Sequence, residues 1–165
     1  MVCAAFTPAA PRTTQQRVQN RARRRCACAA QSAAPSTAHY DRVLLAVVDS
    51  NPYLSADTRA AVAVACKHVS PTGALTVLFA DAKPVESSSQ SVRLDTLRFH
   101  LNENGFSGEP SFLSEAGQNM AAAISDAADS SDSALVVLSC GAVHAKAVEV
   151  HLLCEFLSAP LLLVP

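Results

Sequence analysis

From Arg42 onward the chain alternates between two kinds of hydrophobic spacing. Val43 to Val48 is an unbroken apolar run ending at Asp49, and Ala134 to Leu138 is a second one ending in Ser139-Cys140-Gly141. Runs of five or six apolar residues bounded by polar ones predict strands buried on both faces, as parallel sheets require. Leu75-Thr76-Val77-Leu78-Phe79-Ala80 predicts another strand, rich in residues that suit a pleated buried surface. Pro110-Ser111-Phe112-Leu113 predicts a short strand whose proline points to a sheet edge. Leu161 to Val164, reset by Pro160, predicts the last.

Between these runs the apolar spacing changes to three and four. Leu54, Thr58, Ala61, Val62, Ala65 and Val69 mark a first helix, started by Pro52 or by an N-cap at Ser55 and stopped by Ser70-Pro71-Thr72-Gly73. A second begins near Ser89, with Val92, Leu94, Leu97 and Leu101 inward, Arg93, Asp95, Arg98 and Glu103 outward, and Asn104-Gly105 as its stop. Asn119 caps a third, whose buried stripe is Met120, Ala123, Ile124 and Ala127. A fourth is expected from about Val143 to Leu157. Five strands alternating with four helices imply an α/β fold, a three-layer sandwich on a parallel sheet. In such sheets ligands sit beyond the carboxyl ends of the central strands. Asp49 and the Ser139-Cys140-Gly141 loop are therefore expected at one edge, as the two walls of any site.

Residues 1–38 carry a different signal. They contain six arginines, no acid and many small or hydroxyl residues, which predicts an organelle transit peptide followed by a linker, with the α/β domain at 39–165. Cys26-Ala27-Cys28-Ala29-Ala30 is similar to chloroplast processing regions, with the mitochondrion as the alternative destination. Removing the leader leaves seven Lys and Arg against fourteen Asp and Glu, a net charge of about −7. An acidic domain disfavours nucleic acid and anionic membrane. No apolar run approaches the ~18 residues a membrane span needs, so the domain is expected to be soluble.

Catalytic and metal chemistry find little support in the pattern. Cys66, Cys140 and Cys154 have no C-x-x-C spacing, which disfavours zinc. His144, His151 and Glu155 can share a helix face, but a solvated surface is the expectation there. There is no P-loop, no G-x-S-x-G elbow and no H-E-x-x-H. A pyrophosphatase loop after the first strand needs glycines that Asp49-Ser50-Asn51-Pro52 lacks. A phosphoacceptor receiver needs a lysine after the fifth strand, and the sequence closes at Pro165 without one. No catalytic or metal-ligating residue is assigned.

Residues 42–49 with the helix and strand that follow, residues 133–138, and the closing Glu155-Phe156-Leu157-Ser158-Ala159-Pro160-Leu161-Leu162-Leu163-Val164-Pro165 together resemble a universal stress protein domain. That family belongs to the adenine nucleotide α-hydrolase-like group. The resemblance implies strand order 3-2-1-4-5 and places Asp49 where nucleotide-binding members line the adenosine pocket. Those members follow the fourth strand with G-x-x-G, nine residues, then G-S or G-T. Here only Gly141 is present, and Ala147 and Val148 fall where G-S would stand. The resemblance thus points to the branch without ATP binding. The resulting expectation is a non-catalytic binding or regulatory module in the chloroplast stroma, acting through protein partners. The alternatives are an AMP- or ATP-sensing stress protein, holding its ligand at Asp49, Ser139, Cys140 and Gly141, and an auxiliary factor in assembling an organelle complex. The resemblance also implies a homodimer through the edge formed by Leu161, Leu162, Leu163 and Val164.

Overall fold

A computed structural model describes residues 38–165; the expected leader lies outside them, apart from Ala38. The chain runs β1 (Tyr40–Val47), α1 (Ala56–His68), β2 (Val69–Asp81), α2 (Ser87–Glu103), β3 (Ser111–Ala116), α3 (Met120–Ser130), β4 (Leu135–Ser139), α4 (Cys140–His144), α5 (Val150–Phe156) and β5 (Leu161–Val164). All five strands pair in parallel, in the order β3-β2-β1-β4-β5.

Alternation along the strands builds two cores, one on each face of the sheet. Val43, Leu45 and Val47 of β1, with Leu75, Val77 and Phe79 of β2 and Leu135 and Val137 of β4, pack against Ala61, Val62 and Ala65 of α1 and Leu97 and Leu101 of α2. The intervening residues Leu44, Ala46, Leu78, Val136 and Leu138 pack against Ile124 and Ala128 of α3 and Leu153 of α5. Each fully buried Leu or Val side chain contributes about 1.5–3 kcal/mol, so the uninterrupted apolar strands are accounted for by burial on both faces. The alanine face of α1 lets that helix lie close to the sheet. Ser55 caps it, its Oγ accepting from Thr58 N at 3.3 Å, and Asn119 Oδ1 caps α3 by accepting from Ala122 N at 3.1 Å.

Three expectations are corrected. The first helix does end before Ser70, but the strand expected from Leu75 begins at Val69, so Ser70–Gly73 belongs to β2, which follows α1 directly. The surplus residues are absorbed by a register shift, Tyr40 facing Val69 while Arg42 faces Ala74. Gly73 is needed there, because a Cβ would lie 2.9 Å from the Asp41 carbonyl oxygen. Second, Arg93 is not on the outer face of α2. It is 1 % exposed, whereas Val92 is 37 % exposed, and the inner line of the helix is Arg93, Leu97 and Leu101. Asp81 at the end of β2 draws it in, at 2.8 Å from Arg93 Nη1, and the guanidinium lies 4.7 Å from the Phe79 ring centroid. Third, the single helix expected from Val143 to Leu157 is two short ones. Lys146 breaks it with a left-handed φ of 55°, and Val148 turns inward to 2 % exposure.

Candidate functional site

The strand order reverses direction between β1 and β4, and a cavity of about 250 Å³ opens there at their carboxyl ends. Val48, Asp49 and Ser139 form its floor, Ser55, Asp57 and Thr58 of the α1 N-terminus form one wall, and Gly141, Ala142 and Ala145 form the other. Asp49, Ser139 and Gly141 are thus brought together. Cys140 is not among the lining residues; it opens α4 as a partly buried free thiol. Sequence reasoning missed Asp57 and Thr58. An acid in the first turn of a helix ordinarily reads as a complement to the helix dipole, and only tertiary packing carries this one onto Gly141.

Asp49 is held by its own loop. Oδ1 accepts from Asn51 N at 2.9 Å, and Oδ2 accepts from Ser55 N at 2.5 Å and from the Thr58 hydroxyl at 3.0 Å. Burial on its own would raise its pKa. The backbone N–H groups of Ser55 and Asn51, with the Ser55 and Thr58 side chains, more than offset that and hold the carboxyl below its ordinary 3.8. Asp49 is therefore an anion at neutral pH, and its first task is to fix the entry to α1. Leu54, with a φ of 56° and 2 % exposure, completes that turn.

The second carboxylate, Asp57, reaches the opposite wall. A Cβ placed on Gly141 would come within 2.3 Å of Asp57 Oδ2 and 3.2 Å of Asp57 Cβ. Residue 141 must be glycine for Asp57 to rest there, so this glycine serves a carboxylate. At the C-terminal end of α4 the backbone donors are committed. Ala145 N bonds to Gly141 O at 2.9 Å, Lys146 N to Val143 O at 2.9 Å, and Ala147 N to Ala142 O at 3.0 Å. Among the described residues no Lys, Arg or His lines the cavity. A phosphate here would meet two carboxylates, Asp49 and Asp57, that carry charge of its own sign.

The remaining singled-out groups sit elsewhere. His144 ends α4 and His151 lies in α5, 3.9 Å from Glu149; among the described residues no group of three His, Cys, Asp or Glu could hold a metal ion. Burial pushes the Cys66 thiol up to about 11, an unreactive value. A broader hollow of about 460 Å³ lies between α1 and α2, lined in part by Ala56, Ala60, His100 and Glu103. No helix among the described residues is long and apolar enough to cross a membrane.

Neither a family model nor a curated protein matches the sequence. Solved structures do match by fold. A universal stress protein in complex with cAMP is 15 % identical over 78 % of this chain and 98 % of that one, with a TM-score of 0.59. The universal stress protein from Archaeoglobus fulgidus in complex with dAMP is 15 % identical over 76 % and 98 %, with a TM-score of 0.56. Another structure from the same organism covers 76 % and 99 % at 15 % identity and a TM-score of 0.55. The chain has the universal stress protein fold, and its strand order is the one that fold implies.

Proposed function

We propose, from the universal stress protein fold as premise, that this chain is a non-catalytic binding or regulatory module of the chloroplast stroma that works through protein partners and takes no ATP. One observation carries the negative half of this reading: the Asp57 carboxylate rests on Gly141 at the edge where a phosphate would have to lie. The acid-free leader with six arginines supports the address. The exposed hydrophobic side chains Tyr53, Phe99 and Phe156 offer contact area for partners.

The second reading is an adenine-nucleotide sensor. It is favoured by the cAMP and dAMP complexes of the fold neighbours and by Asp49 at the cavity floor. Calorimetry with Mg-ATP and with AMP on the purified chain separates the two. The leading reading expects no micromolar isotherm with either. A one-to-one isotherm that disappears in Asp49→Ala would put the sensor in its place.

A further inference from the structure

We infer that the cavity between β1, β4 and α1 is a receptor for a primary alkylammonium group. The argument begins with charge. Asp49 and Asp57 both face the cavity, and among the described residues no basic side chain lines it. Its complement is a cation or a hydrogen-bond donor, and an anion is excluded by simple repulsion.

The second observation is independent of the carboxylates. Ser139 is 7 % exposed and lines the cavity, yet its hydroxyl makes no cap bond to α4 and no other hydrogen bond among the described residues. Alternation along β4 sends Leu135 and Val137 to the α1 face, and Ser139 continues that series toward the α1 N-terminus. That hydroxyl oxygen opens onto the polar space, where it is available to a donor from a ligand. Asp57 likewise has no ion pair or hydrogen bond among the described residues. Asp49 Oδ1 accepts a single N–H, which leaves it a lone pair. The cavity thus presents three unfilled acceptor groups: Asp49 Oδ1, the Asp57 carboxylate and Ser139 Oγ.

A primary ammonium carries three N–H donors and no acceptor, which matches that number. A bare metal ion fits less well. Hard divalent cations take six or more oxygens, and only two carboxylates are present. The space, at about 250 Å³, also far exceeds what one ion or one water fills. Val48, Ala142 and Ala145 also line the space, and they offer apolar surface to the methylene stem behind an ammonium head. The same chemistry is presented by a lysine side chain of a partner protein and by a free aliphatic amine. The inference deepens the partner-binding reading by naming a group that the partner inserts.

The test is a titration of the full chain at neutral pH with n-butylammonium, followed by NMR shifts of the cavity residues. Saturable one-to-one binding near a millimolar Kd is expected, weakened at least ~10-fold in Asp57→Asn and about 3-fold in Ser139→Ala, with circular dichroism confirming that both variants fold. Butyltrimethylammonium, which has the charge and no donor, should bind at least ~10-fold more weakly. Nα-acetyl-lysine amide and putrescine distinguish the two sources of the amine by which of them binds more tightly. Three results would overturn the inference: no saturable shift, equal binding of the quaternary ion, or inorganic phosphate binding in the same cavity. Because ATP calorimetry is a separate measurement, the amine site can fail while the ATP-free reading stands.

Discussion

Removing Asp81 should unfold this domain more readily than removing Arg93, although the two form a single pair. Arg93 is 1 % exposed, and its Nη1 reaches Asp81 Oδ2 at 2.8 Å, but its Nε and Nη2 have no partner among the described residues. In Asp81→Leu the guanidinium stays buried against Phe79 with no anion beside it. Breaking a buried pair this way costs about 3–5 kcal/mol. At a urea slope of about 2 kcal/mol per molar, the denaturation midpoint falls by about 2 M. Arg93→Met instead removes two donors that were already unpaired and leaves an Asp81 side chain that is 10 % exposed, at a cost of about 1–2 kcal/mol. The double variant buries no charge and should cost about 1 kcal/mol or less, because hydrophobic replacement of a whole buried pair is often neutral. Urea denaturation of the four proteins gives the coupling directly. Equal losses in the two single variants, or a double variant whose loss is the sum of the singles, would refute this reasoning.

Asp49 gives a pH dependence of defined sign. Its folded-state pKa is lowered, so the stability it adds is fully present above the unfolded value near 3.8 and is lost as pH falls through the lower folded value; Asp49→Asn should lower stability throughout the range above that window and flatten its fall within it. At the sheet edge, Leu163 is 36 % exposed on β5, which pairs only with β4 among the described strands. An unpaired apolar edge invites pairing, so light scattering should give about twice the monomer mass, and Leu163→Lys should shift it toward monomer; a monomer indifferent to that substitution would count against the edge-paired dimer. A reporter carrying residues 1–38 should enter chloroplasts and be shortened, and an uncut cytosolic fusion would remove the proposed address.

The fold was legible because its signals are one-dimensional. Val43 to Val48 and Leu135 to Leu138 announce doubly buried strands, and Ser55 and Asn119 announce helix starts; those signals need no knowledge of neighbours. What was illegible depended on contacts across the sheet. Arg93 reads as a surface residue until Asp81, twelve positions earlier, is placed beneath it. The break at Lys146 had no glycine or proline to signal it, since a lysine in the left-handed region is rare. In the candidate site, Asp49 and Gly141 were visible as strand-end residues. Asp57 was not, because its meaning comes from the missing Cβ of a glycine eighty-four positions away.

The Asp57 carboxylate is expected to keep phosphate away from the β1–β4 edge. Native mass spectrometry of the full chain, purified from cells whose cytosol holds millimolar ATP, measures this directly. The predicted result is the mass of the polypeptide alone, in one or two copies. A stoichiometric adduct of AMP, ADP or ATP that survives buffer exchange would contradict it.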